Sequence, residues 1–300
     1  MKRKIKNILV FGCSGLLGKS FIDHYKNEET LKIYAFINKT KIKSKNIKTI
    51  SLNTINLLEK YIKKNSIDTI MNFAALTNIE YCEKKKKLSK KVNYDLPINL
   101  AKLTKKLNLK YIFISTDNFN FRSKKLKENE KTQSLNNYGY HKKKSENDII
   151  KLNSKSLIIR TNFYCYGNKK RKSFSDTILD SLKSNNKIEL FKDVYYTPIY
   201  TKFLFKYIFL LIKNKKEGIY NICSNEKITK FKFGKKLSQI FKLNKSLIKA
   251  SYLKDRKDLT RRPFNMAMSN NKLKKTLNIK IPSIDHQIKV MKKDLMSFKT

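Results

Sequence analysis

Short runs of apolar residues alternate with longer segments of mixed polarity through the first half of the chain. β-Branched and aromatic residues fill the runs, as in strands that are buried on both faces of a sheet. The runs predict strands at Ile5–Phe11, Lys32–Ile37, Ile47–Ser51, Ile67–Phe73, Lys110–Ser115 and Ser156–Arg160. The segments between them predict helices at Leu16–Tyr25, Ile55–Lys64, Val92–Leu107 and Tyr138–Leu152. Strands that alternate with helical crossovers favour an α/β fold built on a doubly wound parallel sheet.

Beyond residue 165 the pattern contains fewer strand-like runs. It predicts one strand, Gly218–Ile222, and helices at Phe174–Lys183, Thr201–Lys213, Lys230–Phe241 and Asn270–Leu277. We therefore expect residues 1–165 to form the main sheet and residues 166–300 to form a smaller C-terminal α/β region. The single strand predicted in residues 166–300 is compatible with a contribution of one strand from this region to the main sheet.

Glycine is rare in this chain, with seven in 300 residues, and three of the seven fall between positions 12 and 18. They lie at the turn between the first predicted strand and the first predicted helix. Such a turn brings the backbone close to a pyrophosphate and directs the N-terminus of a helix at it. The turn predicts a Rossmann-like dinucleotide site in residues 1–165. We expect cofactor contacts from Gly12, Ser14, Gly15, Leu16, Leu17 and Gly18.

The end of the second predicted strand bears on the choice of dinucleotide. NAD-binding domains often hold the ribose with a carboxylate about 20 residues after the glycine turn. Here no Asp or Glu occurs between Glu29 and Glu59, and Asn38 and Lys39 follow the strand instead. These two side chains are suited to a 2′-phosphate. We therefore expect a preference for NADP(H), with NAD(H) as the alternative.

The formal net charge of +46 would ordinarily suggest a nucleic-acid partner. The residues that carry the charge argue against such a partner. The chain has only seven arginines against 62 lysines, and the lysines are spread over its whole length. Proteins that read bases and phosphates favour the bidentate fork of arginine. Abundant Lys, Asn and Ile are together what an AT-rich coding sequence produces. We expect no specific nucleic-acid partner.

Other features argue against further classes of protein. The longest apolar stretch, Phe203–Ile212, has about half the length that a membrane span needs. A signal peptide at residues 2–17 is disfavoured because its apolar run is short and Phe11 is bulky where cleavage requires a small residue. The four cysteines have neither the spacing of a metal site nor that of a disulfide framework. We therefore expect a cytoplasmic protein that has no metal ion and does not bind a membrane.

Tyr138 and Lys142 form a YxxxK pattern at the start of a predicted helix. The spacing places the phenol and the ammonium on one face of that helix. A free phenol has a pKa of about 10, but a neighbouring ammonium and the positive ring of an oxidised nicotinamide favour the phenolate. Thr116 follows a predicted parallel strand, where such sheets bind ligands. The three residues predict a proton donor for a carbonyl group that accepts a hydride.

The order of these motifs along the chain resembles that of one protein family. The matching stretches are Gly12–Gly18, Asn72–Thr77, Ile114–Asp117, Asn137–Lys142, Ile159–Phe163 and Arg261–Pro263. The chain is similar to extended short-chain dehydrogenase/reductases, and most closely to the dTDP-4-dehydrorhamnose reductase-like branch, over nearly its whole length. The resemblance implies an NAD(P)H-dependent reduction of a nucleotide-linked 4-keto-6-deoxy sugar, for the synthesis of surface-polysaccharide precursors.

The resemblance also implies roles for individual residues. Thr116, Tyr138 and Lys142 match the catalytic trio, and Lys142 would also hold the nicotinamide ribose. Residues 166–300 would form the substrate-binding region, in which Arg262 would contact a phosphate of the nucleotide. Further substrate contacts are implied for Asn162 and Phe163. Further cofactor contacts are implied for Asn53, Ala74, Ala75, Thr77, Asn93 and Tyr138.

Position 118 departs from the family pattern. Asn118 stands where these reductases often carry a substrate-binding tyrosine, so specificity for a rhamnose precursor stays open. Sugar-nucleotide 4,6-dehydratases carry Glu there, and an amide does not supply the acid that expels a hydroxyl. Two other functions remain, namely another extended reductase or epimerase of nucleotide sugars and a non-catalytic, nucleotide-binding regulatory subunit. The intact trio disfavours the subunit, and a homodimer is compatible with the resemblance.

Overall fold

The computed structural model describes residues 7–37, 46–50, 55–167 and 171–297. Its strands, numbered along the chain, are β1 Asn7–Phe11, β2 Lys32–Phe36, β3 Ile47–Ile50, β4 Thr69–Asn72, β5 Lys110–Ile114, β6 Leu157–Arg160, β7 Phe163–Tyr164, β8 Ile188–Phe191, β9 Tyr195–Tyr196, β10 Ile199–Tyr200, β11 Gly218–Asn221, β12 Ile228–Thr229 and β13 Ile248–Ser251. Its α-helices are α1 Leu16–Tyr25, α2 Ile55–Lys64, α3 Ile79–Lys84, α4 Lys86–Lys90, α5 Leu96–Lys106, α6 Asn137–Leu152, α7 Phe174–Lys183, α8 Thr201–Lys213, α9 Lys230–Phe241, α10 Asn271–Leu277 and α11 Ile284–Ser297. A π-helical turn, Lys91–Asp95, joins α4 to α5, and short 3₁₀ turns lie at Lys245–Leu247 and Leu253–Asp255.

In the described part of the chain, seven parallel strands form the central sheet in the order β3-β2-β1-β4-β5-β6-β11. The chain runs outward from β1 to β3 on one side and from β4 to β11 on the other. The strand order therefore reverses between β1 and β4, and such sheets bind ligands at the carboxyl ends of the strands at this point. The sheet confirms the predicted α/β fold.

Alternate residues of β1 face opposite layers of helices. Ile8 and Val10 pack into the layer that contains α1 and α8, while Leu9 and Phe11 pack into the layer that contains α2, α5 and α6. All four side chains are buried. Helices on both faces explain why the strand is a continuous apolar run in the sequence.

A second, smaller core lies among α7, α9 and α11. Its strands form short pairs, in which β8 is parallel to β13, β7 is parallel to β10, and β9 is antiparallel to β12. Two other elements from the C-terminal half of the sequence belong to the main sheet and its helices: α8 packs on α1, and β11 pairs with β6. In the part of the chain that is described, every helix is too short or too polar to cross a membrane.

The sequence pattern does not predict α3, α4 and α11. A run of lysines at positions 84–87 obscures the apolar spacing of the first two. The helix predicted to begin at Val92 instead continues a helix that begins at Lys86 and passes through the π-helical turn. In α11, the buried residues Ile284, Ile288 and Met291 have the spacing of one helical face, so the sequence does contain a signal for that helix.

Candidate active site

The turn between β1 and α1 packs directly against the chain that follows β4. Gly12 has a φ of +82°, and a Cβ there would overlap the backbone nitrogen of Ala74. A Cβ at Gly18 would overlap the carbonyl oxygen of Gly12. A hydrogen bond of 2.9 Å from the Gly15 nitrogen to the Gly12 oxygen closes the turn. Side chains are excluded from this backbone, and the resulting cradle fits the pyrophosphate of a dinucleotide.

Apart from Asn93, which is buried behind the loop after β4, the predicted cofactor residues fall into three groups. Those that line the cleft at the carboxyl ends of the strands are Gly15, Leu16, Leu17, Ala75, Thr77, Tyr138 and Lys142. Gly12, Gly18 and Ala74 form the packed backbone beside the cleft, and Ser14 is exposed at the turn. Outside the described residues are Asn38, Lys39 and Asn53.

The π-helical turn supports the loop after β4. Its Asn93 is fully buried and is not among the residues that line the cleft. The Asn93 side chain accepts a hydrogen bond of 3.0 Å from the backbone nitrogen of Leu76 and donates one of 2.9 Å to the oxygen of the same residue. π-Helical turns often occur at functional sites. Here the turn holds the loop in which Ala75 and Thr77 line the cleft.

Thr116, Tyr138 and Lys142 line this one cleft together. Thr116 follows β5, and its Oγ1 accepts a hydrogen bond of 3.1 Å from the backbone nitrogen of Asn118. Tyr138 and Lys142 lie one turn apart near the start of α6. Lys142 Nζ donates a hydrogen bond of 2.7 Å to the carbonyl oxygen of Ile114, near the end of β5. A strand end and a helix thus bring the three predicted catalytic residues to one place.

Burial is the main influence on the pKa values of Tyr138 and Lys142, the two titratable groups that α6 places in the cleft. It raises the pKa of Tyr138, although a hydrogen bond with the Thr116 hydroxyl acts in the opposite direction. It lowers the pKa of Lys142 to about 7, against the effect of the Glu146 charge. The sequence pattern predicted that the ammonium lowers the pKa of the phenol, but Lys142 is bonded to the backbone and desolvation prevails. The protein therefore holds Tyr138 as a neutral phenol, the form that donates a proton.

A fully buried ion pair lies next to Lys142 along α6. Arg160 of β6 donates two hydrogen bonds to Glu146 of α6, with Nε–Oε1 at 2.9 Å and Nη2–Oε2 at 2.7 Å. Ser115 Oγ donates a third to Glu146 at 2.6 Å. The bidentate pair fixes α6 against the ends of β5 and β6, and so positions Lys142, one turn before Glu146. The pair was not predicted from the sequence, in which its local signal is a Glu four residues after Lys142.

The start of α6 is tied to Asn118. Asn136 caps the helix by accepting a hydrogen bond of 2.9 Å from the nitrogen of Gly139, and it donates one of 2.9 Å to Oδ1 of Asn118. A Cβ at Gly139 would lie 2.7 Å from the carbonyl oxygen of Asn118, so glycine permits this close approach. The residue that departs from the family pattern therefore connects the strand end carrying Thr116 to the helix carrying Tyr138.

A further wall of the cleft comes from residues after β6. Asn162 and Phe163 line it, and Asn162 Nδ2 donates a hydrogen bond of 2.7 Å to Oδ2 of Asp117. Burial raises the pKa of Asp117 to about 6, and the bond from Asn162 opposes that rise. Arg262 also lines the cleft and forms an ion pair with Glu80 of α3. Arg262 therefore joins the C-terminal part of the chain to the nucleotide-binding part.

The cleft has a volume of about 870 Å³, which lies in the upper part of the usual range of about 300–1,000 Å³ for ligand pockets. Predicted cofactor residues and predicted substrate residues both line it. This arrangement can hold a dinucleotide and a second ligand side by side. Within the described ranges, no group of three His, Cys, Asp or Glu side chains is placed to hold a metal ion.

Comparison with known proteins identifies relatives over most of the chain. The profile of a family described as "RmlD substrate binding domain" matches residues 6–297. A Haloferax volcanii protein named "Probable low-salt glycan biosynthesis reductase Agl14" is 23% identical over 241 residues, which cover 78% of each chain.

Two solved structures have similar folds and carry nicotinamide cofactors. A dTDP-4-dehydrorhamnose reductase from Bacillus anthracis, in complex with NADP, has a TM-score of 0.81 at 23% identity and covers 96% of this chain and 99% of its own. A dTDP-glucose 4,6-dehydratase from the same organism, in complex with NAD, has a TM-score of 0.78 at 18% identity and covers 97% of each chain. Because the family profile spans nearly all 300 residues, the chain belongs to the RmlD, or dTDP-4-dehydrorhamnose reductase, family of NAD(P)-dependent nucleotide-sugar reductases, which confirms the resemblance seen in its sequence.

Proposed function

We propose that this protein uses NADPH to reduce the keto group of a nucleotide-linked 4-keto-6-deoxy sugar, in the synthesis of surface-polysaccharide precursors. The observation that carries the proposal is that Thr116, Tyr138 and Lys142 line one cleft with the glycine turn. A carbonyl reduction needs a hydride donor and a proton donor at the same carbonyl group. The glycine cradle suits the pyrophosphate of the nicotinamide cofactor that donates the hydride. The neutral phenol of Tyr138 is the proton donor.

Each member of the trio has a separate task. The nicotinamide, when bound, supplies the hydride. Tyr138 donates its phenolic proton to the carbonyl oxygen, and Thr116 orients that oxygen by donating a hydrogen bond from its hydroxyl. Lys142, in its protonated form, stabilises the phenolate that remains on Tyr138 and holds the nicotinamide ribose with its ammonium. The hydrogen bond from Lys142 to Ile114 fixes the lysine in place before the ligands bind.

NADPH is proposed as the preferred reductant because of the residues after β2. Asn38 and Lys39 follow that strand, and no carboxylate that could hold the ribose hydroxyls of NADH occurs between Glu29 and Glu59. The ratio of the dissociation constants for NADPH and NADH measures this preference. A tighter complex with NADH would contradict it.

The reaction is tested by following NADPH absorbance in the presence of dTDP-4-keto-6-deoxy-L-lyxo-hexose. We expect turnover by the wild type and a fall in kcat of about 10²–10⁴-fold in Tyr138→Phe, with the NADPH affinity nearly unchanged, because only the proton donor is lost. Tyr140→Phe is the matched control, since Tyr140 is exposed two residues away and does not line the cleft. Equal rates for the wild type and Tyr138→Phe would overturn the mechanism.

The same assay separates the proposed reductase from the other functions. Tight NADPH binding without turnover of this or other keto sugars would indicate a nucleotide-binding regulatory subunit. Conversion of a nucleotide sugar to its epimer without net consumption of NADPH would indicate an epimerase.

A further inference from the structure

The cations that line the cleft differ in whether the protein itself neutralises them. Lys172 is ion-paired with Asp180 at 2.9 Å, and Arg262 is ion-paired with Glu80. Lys230 lines the same cleft, and within the described residues its Nζ has neither a carboxylate partner nor a hydrogen-bond acceptor. No role in the proposed mechanism accounts for it.

Lys230 is the first residue of α9 and is only partly exposed. Its Nζ lies 4.4 Å from the centre of the Phe174 ring and 5.1 Å from that of the Tyr196 ring. Burial lowers the pKa of the ammonium, while the charge of Asp117 acts in the opposite direction. Removing a cation from water without an anionic partner costs free energy, which contacts with two aromatic faces offset only in part. An anion bound in the cleft would supply the missing partner.

The position of Asp117 indicates where Lys230 lies relative to the reacting carbonyl group. Asp117 directly follows Thr116, which contacts the reacting carbonyl group in the proposed mechanism, and its charge acts on Lys230. The cradle for the cofactor pyrophosphate lies elsewhere, at the turn between β1 and α1. Arg262 also acts electrostatically on Lys230, so two cations lie close together near the sugar end of the cleft. In a nucleotide sugar, the anionic group joined to the sugar ring is the diphosphate.

We propose that Lys230 binds the diphosphate of the nucleotide-linked substrate. The inference deepens the proposed function and rests on the second ligand being a nucleotide sugar. Phe174 and Tyr196 hold the ammonium in position before the ligand arrives, so that little side-chain freedom is lost on binding. Lys230 could not be singled out from the sequence, because it is one of 62 lysines and belongs to none of the family motifs.

The test is a calorimetric titration of the full-length protein, saturated with NADPH, with dTDP at fixed ionic strength. Lys230→Met should weaken dTDP binding by about 10- to 100-fold, because a charge-assisted contact to phosphate is lost. Lys232→Met is the matched control, since it removes the same charge from an exposed position on the same helix. It thereby corrects for the general attraction of a chain with a net charge of +46 to anions. Lys230→Arg keeps a cation over the two rings and should retain most of the affinity.

Several results would overturn the proposal. Equal dTDP affinities in Lys230→Met and Lys232→Met would do so, and so would a wild type that binds none of dTDP, UDP and GDP. A loss of NADPH affinity in place of dTDP affinity would assign Lys230 to the cofactor. Thermal unfolding of each variant checks that it is folded. The titration needs no turnover, so Lys230-dependent dTDP binding in a protein that reduces no keto sugar would reject the reaction and keep the site.

Discussion

The two sides of the cleft are built by different means. On the nucleotide side, the turn at Gly12–Gly18 packs backbone against backbone, and the Glu146–Arg160 pair that fixes α6, the helix carrying Lys142, is closed to water. On the substrate side, long side chains make the contacts. The ion pair between Arg262 and Glu80 has side chains that are 19% and 43% exposed, and Lys230 lies over two aromatic rings. The main chain and buried charges fix one side, whereas side chains that can change partners form the other.

This difference suits the two ligands that the cleft would hold. Hydride transfer needs a cofactor held in one geometry, which a packed backbone provides. The substrate side must replace water and ions with a charged ligand in every turnover. Exposed ion pairs contribute about 0–1 kcal/mol to stability, whereas breaking a buried pair costs about 3–5 kcal/mol. We therefore expect the free energy of unfolding to depend on the first side and ligand exchange to depend on the second.

Arg160→Met tests the nucleotide side and should have the largest effect. The substitution removes the bidentate partner of the buried Glu146 carboxylate and leaves only Lys143 Nζ, 3.8 Å away, as a cation beside it, so the free energy of unfolding should fall by about 3–5 kcal/mol. Denaturant titration measures the fall. Arg256→Met is the matched control, because Arg256 pairs with Asp258 at the same 2.7 Å but with side chains that are 45% and 61% exposed. The control should leave stability unchanged.

A second variant separates the lost pair from lost packing. Replacing both partners, in Arg160→Met with Glu146→Leu, removes the stranded charge and should recover much of the stability that the single substitution loses. If Arg160→Met and Arg256→Met lost the same stability, burial would not make the Glu146–Arg160 pair more important than an exposed pair, and the rigidity assigned to the nucleotide side would lose its support.

The same contrast explains what the sequence could predict. The glycine turn and the Tyr138–Lys142 helix are local patterns, and the strand end at Thr116 follows from a single apolar run. A few adjacent residues were therefore enough to predict the parallel sheet and the meeting of the trio in one cleft. The contact between Arg262 and Glu80 joins residues 182 positions apart. No spacing in one sequence encodes such a contact.

Burial also decides what a sequence pattern can show. The i, i+4 spacing of Tyr138 and Lys142 gave their common helix face, but not the hydrogen bond that directs the ammonium to Ile114. The rise in the pKa of Tyr138 comes from desolvation, which depends on the whole fold. Asn118 was seen only as a departure from a family pattern, whereas its contact with Asn136 at the start of α6 required the structure.

Gly12→Ala and Gly218→Ala test whether the cradle requires glycine because of close backbone packing, and not because of its positive φ alone. The two glycines have nearly the same φ, +82° and +84°. A Cβ at Gly12 would overlap the backbone of Ala74, whereas one at Gly218 meets nothing within 4 Å. Gly218→Ala should therefore cost about 1 kcal/mol from its conformation. Gly12→Ala should cost about 2–4 kcal/mol, because overpacking adds to the conformational strain.

The affinity for NADPH provides the second measurement on this pair. Displacing the turn from Ala74 should weaken NADPH binding at least about tenfold in Gly12→Ala, because close approach of the backbone to the pyrophosphate is lost. Gly218 lies on β11 at the edge of the sheet, so its variant should bind NADPH like the wild type. Equal losses of stability and affinity in the two variants would show that conformation alone accounts for both.

Glu80→Gln tests the substrate side and should have the smallest effect on stability. Its ion pair with Arg262 is partly exposed, so the free energy of unfolding should change by about 0–1 kcal/mol. The affinity for dTDP should rise by about threefold, because Glu80 no longer competes with the diphosphate for the guanidinium. Glu59→Gln is the matched control, since it removes the same charge from an ion pair with Lys106 that does not line the cleft. An equal rise in both variants would reflect net charge alone, whereas weaker dTDP binding in Glu80→Gln would mean that Glu80 holds Arg262 in its binding position. In that case both sides of the cleft would be preformed before their ligands bind.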